Sequence, residues 1–111
     1  MIVVDTNILI YYFVQSDHSE TAVQIHRKDP VWEAPFLWRS EFRNTLLLYL
    51  RKELLTLPQI VRLVQTAEDK MRDHEFHVMV DEVFRVASVS DCSAYDCEFV
   101  ALAKELGVPL V

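Results

Sequence analysis

The sequence predicts an α/β fold, a three-layer α/β/α sandwich around a central parallel sheet of about four strands. Short β-branched apolar runs alternate with longer stretches of helical periodicity, the pattern left by strands joined through right-handed helical crossovers. The first run, Ile2-Val3-Val4, is apolar at every position, as a strand buried on both faces must be. A hydrophobic content of 51%, with one Gly and four Pro, suits a compact, helix-rich chain. Its 111 residues are enough for one core, so residues 1–111 read as a single domain.

The elements follow in order. After the first strand, Ile8 to about Val14 reads as a helix. Asp17 and Glu20 stand in capping-box spacing and open a second helix, which runs to about Lys28 before Asp29-Pro30 stops it. Val31 to Ala34 is a second strand closed by Pro35. Leu37 to Leu55 is dense in helix formers, with Trp38, Phe42, Leu46, Tyr49 and Leu50 on one stripe and Leu47 and Leu48 on another flank. So wide an apolar surface predicts burial on more than one side, including a subunit interface. Thr56-Leu57-Pro58 opens a helix whose Ile60, Leu63, Val64, Ala67 and Met71 keep the amphipathic spacing. Phe76 to Val80 is the third strand, Asp81 to about Ala87 a short helix, and Ser93 to Leu106 the last helix, stopped by Gly107. Val108 to Val111 begins a fourth strand.

The bulk properties exclude several classes. The apolar stretch Ile8–Val14 is too short to cross a bilayer, and Asp5 and Asn7 spoil the preceding residues as a signal sequence, which predicts a soluble cytoplasmic protein without membrane partners. A net charge of −6 argues against a broad electrostatic grip on nucleic acid and leaves a route through metal ions and a local basic patch. Cys92 and Cys97 lie five apart in one helical region, facing different sides, and read as ordinary buried thiols, neither a disulfide nor a zinc pair. His18, His26, His74 and His77 show no ligand spacing. Arg27, Lys28, Arg39, Arg43, Arg51 and Lys52 read as solvated helix faces, and Tyr11, Tyr12, Trp32 and Trp38 as core rather than base-stacking residues.

Chemistry centres on carboxylates. Asp5 ends the first strand, at the sheet edge where open α/β folds bind ligands, and Thr6 and Asn7 follow it. A helix cap explains Asp5 or Asn7 equally well. Glu41 borders the packed stripe of the long helix, with Asn44 and Thr45 on its own face; pairing with Arg39 or Arg43 is the plain alternative. Asp96 sits early in the last helix, where the macrodipole alone would favour an acid.

Taken together, Val3-Val4-Asp5-Thr6-Asn7, Ser40-Glu41-Phe42-Arg43-Asn44 and Ala94-Tyr95-Asp96-Cys97-Glu98-Phe99-Val100-Ala101-Leu102-Ala103 resemble, in this order, the PIN-domain family, and more narrowly the VapC toxins of toxin-antitoxin pairs. The last segment, continued through Val111, is the most specific. The resemblance implies a metal-dependent endoribonuclease toxin that cleaves RNA, works as a homodimer and is neutralised by a VapB-like antitoxin. Carried over by position, Asp5, Glu41 and Asp96 would be the catalytic acids and the ligands of Mg²⁺ or Mn²⁺, hard ions that prefer oxygen donors. Thr6, Asn7, Asn44 and Ser93 would support them.

In that family the pattern continues past the fourth strand with Thr-x-Asp, a short helix and a fifth strand. This sequence ends at Val111, so the resemblance predicts a truncated PIN-like sheet that lacks the fifth strand and the fourth acid. Asp91, or the α-carboxylate of Val111, is a possible substitute ligand, and a catalytically impaired module retaining antitoxin or RNA binding is the second reading. Phosphotransfer on Asp5, as in haloacid-dehalogenase-like phosphatases, is disfavoured because those carry a second Asp where this chain has Asn7.

Overall fold

A computed structural model describes residues 1–111. Its elements are β1 (Ile2–Val3), α1 (Thr6–Phe13), α2 (Ser19–Lys28), β2 (Trp32–Pro35), α3 (Leu37–Arg51), α4 (Leu57–Met71), β3 (Glu75–Phe76), α5 (Val80–Ser88) and α6 (Ala94–Leu106). The strands form one parallel sheet in the order β1-β2-β3, with Ile2 opposite Trp32 and Ala34 opposite Glu75. The expected fourth strand is reduced to a parallel bridge between Val3 and Leu110. It still adds a ladder on the free side of β1: Val3 N–H donates to Pro109 O, and Val111 N–H to Val3 O, both at 2.9 Å.

Successive residues Ile2, Val3 and Val4, and Trp32 through Pro35, are buried. Because neighbouring strand residues face opposite sides, the sheet is covered on both faces and forms the middle layer, as the apolar pattern predicts. Helices α1 to α4 pack among themselves, α5 packs on α6, and α6 lies against β1 and β2. The main core joins Val3, Leu9, Trp38, Phe42, Leu46 and Leu102, all at most 1% exposed, and a smaller cluster of Val83, Val86, Cys97 and Ala101 holds α5 to α6.

Several local expectations are corrected. Asp17 does not cap α2. His18 occupies the N-cap position with no side-chain bond, and Ser19 closes the turn instead, its hydroxyl accepting from Ser16 N–H at 2.9 Å and donating to Val14 O at 3.1 Å. Helix α3 ends at Arg51 rather than Leu55: Glu53 takes a left-handed conformation, φ 58°, and Leu54 N–H reaches back to Tyr49 O at 2.9 Å, a Schellman-type closure made without glycine. The second flank of that helix is open, with Leu47 and Leu48 exposed. The third strand lies at Glu75–Phe76, earlier than the apolar run suggests, because His74 and Phe76 offer their carbonyls to Ala34 and Phe36 N–H. Cys92 is exposed, outside α6, and only Cys97 is buried; both are free. Thr56 and Gln59 form a full capping box at the start of α4.

Candidate functional site

The acidic edge begins where β1 ends. Asp5 is the N-cap of α1, its Oδ1 accepting from Asn7 N–H at 2.8 Å, and it follows the carboxyl end of β1. Its own N–H donates to Val111 O at 2.9 Å, so the last residue of the chain lies beside it. The cap fixes Asp5 without consuming its charge, since one carboxylate oxygen is enough to satisfy an amide.

Thr6 is buried, and its Oγ1 donates to Glu41 Oε1 at 2.7 Å across 35 residues of sequence. This bond ties the start of α1 to the second turn of α3. Ser93 caps α6 by accepting from Asp96 N–H at 3.1 Å, which fixes the turn that carries Asp96. Asn44 lines the same shallow cleft as Glu41, together with Leu37, Ser40 and Tyr95. The Asn7 side chain is exposed and Asp91 lies in the exposed turn ahead of α6.

Electrostatics show which acids act on one another. Burial pushes the Glu41 carboxyl above its ordinary value, the Thr6 hydroxyl pulls it back, and the charges of Asp5, Asp96 and Glu98 push it up again. Asp91 is not among these charges. The plain alternative for Glu41 fails on geometry: Arg39 is bound to Glu75, through Nη2 to Oε1 at 2.8 Å, and Arg43 to Glu68. No cation offsets the like charges around Glu41. Glu98 is the residue that sequence reasoning missed. It is half-buried, and burial raises its own carboxyl as well. At two positions beyond Asp96 it lies on another helix face, so spacing alone gave no reason to join it to the group.

The donor set is all oxygen and its negative charge is uncompensated, which fits a hard divalent ion that retains part of its water shell. At the same time no three His, Cys, Asp or Glu side chains converge closely enough to share one ion directly. Asp5, Glu41 and Asp96 are thus neighbours in charge rather than a closed ligand cage.

No helix is long and apolar enough to cross a membrane. A search of curated proteins finds no match. The PIN domain, by contrast, matches residues 2–111. That match spans the sheet and every element that contributes to the acidic edge, and the chain belongs to the PIN-domain family.

Proposed function

We infer that the function of this chain follows its family, since PIN domains are generally nucleases, bind RNA and typically use divalent metal ions. We propose that this chain is a cytoplasmic metal-dependent endoribonuclease toxin of the VapC type, with Asp5, Glu41 and Asp96 holding Mg²⁺ or Mn²⁺. The observation that carries the reading is the placement of Glu41, partly buried and bonded to Thr6, where the charges of Asp5 and Asp96 bear on it while the neighbouring Arg39 and Arg43 are bound elsewhere. Such an arrangement costs folding stability and is explained by a cation or a reaction that needs it. A divalent ion bound there would activate water and neutralise charge on the scissile phosphate. The protein's own part is positional: Thr6 aims Glu41, the α1 cap holds Asp5, Ser93 fixes the turn of Asp96, and Asn7 and Asn44 offer polar groups at the rim.

Homodimerisation and neutralisation by an antitoxin belong to the same proposal. They are supported by the apolar side chains left exposed on and between α3 and α4, namely Leu47, Leu48, Leu54, Leu57 and Val61. The open spacing of the acids favours a second reading, a PIN module that binds RNA or antitoxin without cutting. One assay separates them. Cleavage of single-stranded RNA that requires Mg²⁺ or Mn²⁺ and falls at least about 100-fold in Asp5→Asn and Asp96→Asn supports the enzyme. Asn remains a good N-cap, so Asp5→Asn keeps α1 in place. Binding of RNA without metal-dependent cleavage supports the module.

A further inference from the structure

The sheet has a second functional-looking edge. At its amino end, where Pro30 leads into β2 and His74 precedes β3, lies a cavity of about 200 Å³ on the far side of the strands from Asp5. Its wall is aromatic. Tyr12, His26 and Trp32 pack as a trio, with ring centroids 5.0 Å apart for Tyr12–His26, 5.1 Å for Tyr12–Trp32 and 5.2 Å for His26–Trp32. An aromatic wall alone would be core. Here it is combined with polar groups that have nothing to bind.

Trp32 is 6% exposed, and its indole Nε1 has no hydrogen-bond partner. Leaving such a donor unpaired costs about 1–3 kcal/mol, so it calls for an explanation. Lys70, exposed in the last turn of α4, lines the cavity and, like the chain's other lysines, forms no ion pair. His74 is held by the buried Glu33, Nδ1 to Oε1 at 3.0 Å, which leaves its Nε2 as the free ring nitrogen. Glu33 itself does not line the cavity. The unspent groups are thus one indole N–H, one imidazole nitrogen and a cation, next to flat π-faces.

An enclosed apolar cavity of about 150 Å³ accepts benzene, so this half-open hollow has room for at least one ring and a small substituent. We propose that the amino-edge cavity binds a single-ring aromatic carboxylate, its ring against Tyr12, His26 and Trp32 and its carboxylate at Lys70. The site is separate from the acidic edge, and its occupancy does not depend on the nuclease reading.

The chain's two tryptophans make the test direct. In ¹⁵N-labelled protein titrated with benzoate, the Trp32 indole resonance, assigned with Trp32→Phe, moves saturably with a Kd of about 1 mM or tighter. The Trp38 resonance stays, because its Nε1 already donates to Glu75 Oε2 at 2.7 Å. Acetate, which lacks the ring, leaves both unmoved. Lys70→Ala weakens benzoate about fivefold, in the range of an exposed ion pair, and Lys70→Glu weakens it further. Since Lys70 is exposed, both variants keep the fold. The proposal is overturned by an absence of saturable shift, by an equal response to acetate, by an unchanged Kd in Lys70→Glu, or by uridine monophosphate binding in preference to benzoate.

Discussion

Replacing Glu41 by Gln is expected to stabilise the metal-free protein while removing its function. The amide is the same size and can still accept the Thr6 hydroxyl, now 2.7 Å from Oε1, so the packing of α1 on α3 is retained. What disappears is the charge. The carboxyl of Glu41 lies above its ordinary value because burial and then Asp5, Asp96 and Glu98 together outweigh the favourable bond from Thr6. By linkage, an acid whose folded pKa is raised adds no penalty below its unfolded value of about 4.3, and the penalty grows as pH rises until the group is ionised in the folded protein as well. Wild type and Glu41→Gln should therefore melt alike near pH 4 and diverge above it. Stabilisation on relieving a charged functional site is commonly about 0.5–2 kcal/mol, and the partial exposure of Glu41 points to the low end. For a chain of 111 residues that is a rise in Tm of about 2–4 °C at pH 7.5. Thermal melts with and without Mn²⁺ complete the experiment. An ion at 100 times its Kd adds about 2.7 kcal/mol to the wild type, and Glu41→Gln should lose most of that gain. A lower Tm for the variant at neutral pH, or an equal response to Mn²⁺ in both proteins, would refute the reasoning.

Two further outcomes follow from the scaffold. Glu75, 4% exposed at its side chain, accepts from Trp38 and Arg39; burial works against its charge, but those bonds and the charges of Arg39 and Arg72 hold its carboxyl below the ordinary value. Glu75→Gln should cost about 2–3 kcal/mol in urea unfolding at pH 7, less than a fully buried pair because Arg39 is 32% exposed. A depressed folded pKa gives stability that is complete above the unfolded value of about 4.3 and lost as pH falls through the folded value, so the variant should also show a shallower loss of stability on acidification below that unfolded value. Gly107, the left-handed C-cap of α6 at φ 66°, would meet nothing within 4 Å if it carried a Cβ, so Gly107→Ala should cost about 1 kcal/mol through backbone strain alone, read as a drop in Tm of about 4 °C.

The legible parts of this chain are those whose physics is local. Apolar periodicity marks α4 from Ile60 to Met71, and a continuous β-branched run marks β1. Asp5 and Asp96 announce themselves at the end of a strand and the start of a helix because caps and dipoles act within a turn. The PIN resemblance likewise rests on three short segments, each readable in isolation. Local reading failed where a residue had two reasonable partners. Asp17 looked like the α2 cap until Ser19 closed that turn, and the helix through Leu55 could not be known to stop until Glu53 turned left-handed.

Sequence alone therefore determined which residues are acids and on which kinds of element they stand. Only the tertiary structure decided that Arg39 goes to Glu75 and Arg43 to Glu68, which leaves Glu41 facing Asp5, Asp96 and the unforeseen Glu98. It alone brought Tyr12, His26 and Trp32 around one cavity with Lys70 at its rim. The physical reason is the same in both cases. An ion pair or a cavity wall spans tens of residues of chain, and which of several chemically equivalent partners meet is set by the packing of helices on the sheet, not by any pattern within reach of a single turn.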